Sequence, residues 1–141
     1  MSDDVRATCL CLAVRRLGRR ISQAYESRLA PTGLTITQFT LLAAVDTVGP
    51  GGAPLAPIAD ALDMDPSTLS RTIRPLVRDR LVTLAPGEDR RARLARLTAA
   101  GRARLKDAMP HWRAAQRETA RMLGADAHRQ LSTLLAGAHR L

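Results

Sequence analysis

The chain has 141 residues, 45% of them hydrophobic but only 2% aromatic, so Leu and Ala must fill its core, which favours packed helices over a β-sandwich. Its 22 basic residues outnumber 13 acidic ones for a net charge of +9, and Lys106 is the only lysine. This surplus of planar guanidinium groups suits a polyanionic partner, although GC-rich coding alone also raises Arg over Lys. No apolar run nears the ~20 residues needed to cross a bilayer, and Met1-Ser2-Asp3-Asp4 lacks the basic start of a secretory leader. The expectation is a cytoplasmic protein without a membrane partner, with Cys9 and Cys11 reduced at rest.

Residues 5–29 read as a long helix, because Leu10, Val14, Leu17, Ile21 and Ala24 recur at spacings of three and four. Arg15, Arg16, Arg19 and Arg20 fall mostly off that stripe and suit a solvated or intersubunit face. Pro31-Thr32-Gly33 ends the helix. A second helix spans 37–48, capped by Thr35, with Phe39, Leu42, Ala43 and Val45 inward. Gly49-Pro50-Gly51-Gly52 breaks the chain. A short helix over 56–62 follows, with Pro57 in its first turn. After the turn Asp63-Met64-Asp65, a helix runs over 66–79 with Asp65 as N-cap and Pro66 as its first residue. Its expected buried stripe is Leu69, Ile73, Leu76 and Val77. Residues 81–84 and 93–97 read as two short strands joined by a polar loop, a hairpin with a charged tip. Thr98 caps a helix over 99–122 in which Pro110 predicts a kink. Gly124 interrupts, and residues 126–141 form the last helix, with Leu131, Leu134, Leu135 and Ala138 as its apolar face.

Three regions follow: residues 1–34 and 99–141 as the two parts of a helical dimerisation bundle, and 35–98 as a DNA-binding unit. Neither terminal region can bury its stripe alone, so sister helices of a homodimer are expected to complete it. The fold class is mainly α with a small β-wing, a winged helix-turn-helix carrying a dimerisation bundle from both termini.

The central unit carries the functional signal. From Pro66 to Leu97 there are eight arginines against three acids, a net +5 in under a quarter of the chain. On the second helix of the pair, Ser67, Thr68, Ser70, Arg71 and Arg74 lie off the apolar stripe. Small hydroxyls permit close approach to a major groove, and arginines supply long donors to guanine or phosphate. The helix N-terminus is itself expected to favour a nearby phosphate. At the hairpin tip, Arg90 and Arg91 suit a minor groove, whose negative potential attracts arginine, and Asp89 is positioned to pair with Arg91.

Taken in order, the run Leu34 to Leu42, the helix Ile58-Ala59-Asp60-Ala61-Leu62, the stretch Ser67 to Arg74, Asp89-Arg90-Arg91 and Leu97-Thr98-Ala99-Ala100-Gly101 resemble the MarR family of transcriptional regulators. The resemblance covers nearly the whole chain. It implies a triangular homodimer on pseudo-palindromic operators, usually a repressor relieved by a small ligand or an oxidant. It also implies that Ser67, Thr68, Ser70, Arg71 and Arg74 face the major groove and that Arg90 and Arg91 serve the wing. Two departures stand out. Arg80 occupies a position where the family usually has Gly, and Pro75 sits inside the recognition helix, where it is expected to loosen the turn after Arg74.

Other candidates carry weaker signals. Cys9 and Cys11, two apart on a helix, point to different faces and form no easy disulfide within it. They suit either buried small hydrophobes at a dimer interface or a thiol sensor acting across subunits. Tyr25, His111 and Trp112 are candidates for lining a small-molecule effector pocket, against ordinary packing. His111, His128 and His139 show no metal-ligand spacing, and no nucleophile motif, phosphate loop or carboxylate pair is present, so no metal, cofactor or catalysis is expected. The expected partners are double-stranded DNA, a second copy of the chain and possible effectors. The alternative is a nucleoid-type architectural DNA-binding protein without an effector.

Overall fold

A computed structural model describes residues 3–89 and 91–138. The chain folds into two compact units. One is Leu29–Pro110, and the other combines the chain up to Arg28 with the chain from His111 onward.

In the central unit, α3 (Ile36–Val48) begins at a reciprocal cap. The Thr35 hydroxyl accepts the Gln38 N–H (3.1 Å), and the Gln38 side chain accepts the Thr35 N–H (3.0 Å). Phe39, Leu42 and Val45 are buried as expected, and so is Leu41. Ala43 is half-buried. Two faces of α3 are therefore covered, since it meets α4 and α5 as well as strand β3 (Arg93–Leu97).

α4 (Leu55–Ala61) and α5 (Pro66–Arg78) form the helix-turn-helix pair. The turn has a definite geometry. Asp63 is left-handed (φ 51°), its N–H bonds to Asp60 O, and the Met64 N–H reaches back to Ala59 O (2.8 Å). These bonds satisfy carbonyls that a helix end otherwise leaves open. α5 ends the same way. Arg80 is left-handed (φ 58°), its N–H bonds to Val77 O, and the Leu81 N–H bonds to Leu76 O (2.8 Å).

Ile58 and Ala59 of α4 and Ile73 and Leu76 of α5 are buried, while Leu69 is half-buried. Val77 departs from expectation: it is 36% exposed, and Thr72 is buried in the stripe instead. Thr72 can be buried because its hydroxyl donates to Thr68 O within the helix (2.8 Å). α5 continues past Pro75 to Arg78, with the Asp79 N–H bonding Pro75 O (2.9 Å).

The sheet has three antiparallel strands in the order β1-β3-β2. β2 (Val82–Pro86) pairs with β3 from Val82 opposite Leu97 to Pro86 opposite Arg93. The short strand β1 (Ala53–Pro54), which pattern reading missed, pairs Ala53 with Ala95. Two residues are too few for a period-two signal, and tertiary pairing alone makes them a strand.

In the terminal unit, α1 (Asp3–Thr8) and α2 (Leu10–Leu29) meet at Cys9, where helical bonding continues through Cys9 N–H to Val5 O and Ala13 N–H to Cys9 O. α6 (Ala99–Leu123) runs through Pro110 without ending. Gly124 (φ 82°) separates it from α7 (Ala125–Ala138). Tyr25 Oη donates to Gln116 Oε1 (2.7 Å), and Arg28 Nε pairs with Glu118 Oε2 (2.6 Å). The apolar faces expected to be covered are open in the single chain: Leu10 is 76% exposed, Val14 59%, Leu134 72% and Leu135 56%. Leu131 is half-buried and Ala138 exposed. Among the described residues, no helix is long and apolar enough to cross a membrane.

Candidate nucleic-acid interface

The candidate surface is built on α5. Ile73 and Leu76 anchor the helix to the core, and the turns at Asp63 and Asp79–Arg80 fix both its ends. With that face committed, Ser67, Arg71 and Arg74 are exposed, and Thr68 and Ser70 are half-buried. Hydroxyls and guanidinium groups thus share one helix whose orientation is set by packing, the condition for reading base edges.

At the start of the helix, the Thr68 N–H donates to Asp65 Oδ1 (2.7 Å). This bond, above all, holds the Asp65 carboxyl below the usual carboxylate range. At the far end, Arg78 grips Asp79 through Nε (2.9 Å) and Nη2 (3.3 Å), which lowers the Asp79 carboxyl and raises the Arg78 guanidinium. Both side chains are exposed, so the pair contributes little to stability.

The wing is the β2–β3 hairpin. The Gly87 N–H bonds to Ala92 O (2.7 Å) and the Ala92 N–H to Asp89 O (2.9 Å). Asp89 meets Arg91 through the backbone rather than as the expected ion pair: its carboxylate accepts the Arg91 N–H at 3.2 Å. This shapes the tip, where Arg91 is exposed. Arg90, the other predicted wing contact, lies outside the described residues. A cleft of about 430 Å³ opens beside this surface, with Leu55, Met64 and Leu69 on its apolar walls and Arg91 and Arg93 among its lining.

The remaining candidates lie in the terminal unit. Cys9 is half-buried and Cys11 exposed in the single chain. Both belong to a helically bonded stretch, as expected. Tyr25, His111 and Trp112 are each half-buried. Burial pushes the Tyr25 phenol up, with the Thr119 hydroxyl pulling the other way. Among the described residues, no group of three or more His, Cys, Asp or Glu side chains is placed to hold a metal ion.

The geometry matches known proteins. A model of the MarR family matches residues 32–92, the segment that holds α3, α4, α5 and most of the wing. The Mycobacterium tuberculosis transcriptional regulator MosR, solved in complex with DNA, is 36% identical over 94% of this chain and 99% of its own, with a TM-score of 0.76. The chain belongs to the MarR family. That family is one of DNA-binding transcriptional regulators rather than enzymes.

Two further MarR-type structures extend the comparison. The repressor CouR, bound to a 23-mer DNA duplex, is 25% identical over 98% of this chain and 97% of its own (TM-score 0.83). Escherichia coli MarR in complex with operator DNA has the same fold at 21% identity, over 98% of this chain and 99% of its own (TM-score 0.83). None of the curated proteins compared with the chain matches it.

Proposed function

We propose that this MarR-family chain is a sequence-specific repressor that works in the cytoplasm as a homodimer on a pseudo-palindromic operator. A small ligand or thiol modification releases it. The observation that carries this reading is the exposed Ser67, Arg71 and Arg74 face of α5, held between two tightly bonded turns beside an arginine-bearing wing. Ser67, Thr68, Ser70, Arg71 and Arg74 enter the major groove. Arg90 and Arg91 serve the minor groove or its flanking phosphates.

The open leucines of the terminal helices support the homodimer. Large apolar side chains that are 56–76% exposed on two terminal helices are costly in water and fit a sister copy. A dimer sets two reading helices one DNA turn apart, about 34–36 Å. Release works by favouring a dimer geometry whose helix spacing no longer fits the operator. Two features support an effector. CouR has been solved with p-coumaroyl-CoA as well as with DNA, and here half-buried Tyr25, His111 and Trp112 offer aromatic and polar lining for a small molecule. The exposed Cys11 offers the thiol route.

Selection of bound duplexes from a random DNA pool tests the proposal. A sharp palindromic consensus is expected, with half-sites one turn apart. A diffuse pool would favour an architectural protein and overturn the repressor reading. Operator release measured against phenolic acids, peroxide, arsenite and copper then separates the two release routes. A Cys9→Ser/Cys11→Ser chain that responds normally to oxidant ends the thiol reading.

A further inference from the structure

A helix that approaches DNA by its N-terminus normally offers its first backbone amides to a phosphate. In α5 the Asp65 cap already takes up most of those amides. Pro66 has none, the Thr68 N–H donates to Asp65 Oδ1 (2.7 Å), and the Leu69 N–H donates to the Asp65 carbonyl (3.0 Å). The other carboxylate oxygen is engaged as well, since Thr68 Oγ1 donates to Asp65 Oδ2 (3.2 Å). That hydroxyl in turn accepts Arg71 Nη2 at 3.5 Å. A full negative charge therefore stands where a phosphate would sit. It is linked through one hydroxyl to the guanidinium a turn further along.

We infer that Asp65 is a specificity-determining residue of DNA reading. Its carboxylate closes the helix tip to the phosphate backbone and, through Thr68, positions Arg71. Binding at the tip then depends on the bases rather than on the sequence-independent backbone charge. Phosphate contacts carry affinity without information, and base contacts carry the information. A carboxylate at the tip suppresses the first kind while the arginine beside it makes the second. Asp65 acts through Arg71 and is a positioning residue. The inference rests on α5 being the recognition helix.

The test uses the full chain as wild type, Asp65→Asn, Arg71→Ala and the double variant. Each is titrated with the selected operator and with a scrambled duplex of equal length, over a range of salt concentrations. Asn caps a helix as well as Asp does, so the melting temperature of Asp65→Asn stays near wild type while the charge is gone. The expected result is tighter binding to scrambled DNA and a fall of about tenfold in the operator-to-scrambled ratio, the scale of one base contact. The salt slope should steepen by about one unit for each half-site as a phosphate takes up the vacated position. In the Arg71→Ala background, Asp65→Asn should change the slope but scarcely change the ratio.

If Asp65 were merely a structural cap, Asp65→Asn would leave ratio and slope at their wild-type values, and that result overturns the inference. Should Asp65→Asn fold poorly, Asp65→Ser supplies a neutral cap with the same expected ratio and slope. A wild-type chain with no preference for operator over scrambled DNA overturns the recognition-helix reading itself, visibly and before any variant is compared.

Discussion

Gly101 lies directly against the Leu81 carbonyl: a Cβ at Gly101 would overlap the oxygen and lie 3.0 Å from the carbonyl carbon. The approach is close because Thr98 ties the start of α6 to the end of α5. Its hydroxyl donates to Arg80 O (2.7 Å) and accepts the Gly101 N–H (2.9 Å), while its own N–H donates to Leu81 O (3.0 Å). Gly101→Ala must push two backbones apart in a bonded junction. The expected loss is about 2–4 kcal/mol, larger than most single substitutions cause. Urea and thermal denaturation measure it, and a loss below 1 kcal/mol would mean that the junction gives way easily.

Arg80 is the other half of that junction. Its φ of 58° is costly for a residue with a Cβ. Arg80→Gly should raise stability by about 0.5–1 kcal/mol, and Arg80→Val should lower it by more than that because a β-branched side chain fits this region worst. The urea midpoint should move in opposite directions for the two variants, with the slope unchanged.

On the reading surface, two arginines should fail in different ways. Arg71→Ala should cost about 1–3 kcal/mol on operator DNA and much less on scrambled DNA. Arg91→Ala, on the wing, should weaken both duplexes alike and reduce the salt slope by about one unit per subunit. Equal losses of specificity from both substitutions would contradict this division of labour.

Asp65 also predicts a pH dependence. Amide donation, chiefly from Thr68, lowers its folded pKa below the ordinary 3.8. A group whose pKa is lower folded than unfolded stabilises the fold fully above its unfolded value. That contribution is lost as pH falls through the folded value. The stability gap between wild type and Asp65→Ala should therefore be constant near neutral pH and should narrow below about pH 4. Urea titrations of both chains at neutral and acid pH check the sign, and a gap that widens in acid would refute it.

The homodimer is tested through the open leucines. Leu10→Glu together with Leu134→Glu places charges on two exposed apolar faces that no contact in the single chain requires. Sedimentation should show a monomer that is still helical. Affinity for a palindromic site should fall by about 100-fold or more, because the two half-sites no longer share one binder. A dimer of unchanged affinity would place the interface elsewhere.

Much of this protein is written in local chemistry. Thr35 and Asp65 marked helix starts because their side chains satisfy amides only a few residues away. Pro66, Gly49 and Gly124 marked boundaries because backbone freedom belongs to the residue itself. The helix-turn-helix pair and the hairpin could therefore be found from sequence. Contacts distant in sequence decided the rest. Ala53–Pro54 became a strand by pairing with Leu94 and Ala95, Leu41 was buried because α3 is packed on more than one side, and Val77 was left in solvent while Thr72 took its place. The same holds for the tip of α5. Its composition suggested an open anion site, and only the placement of both Asp65 oxygens showed it to be filled. Periodicity specifies which face of a helix is apolar, but the surface that covers that face is a property of the folded assembly.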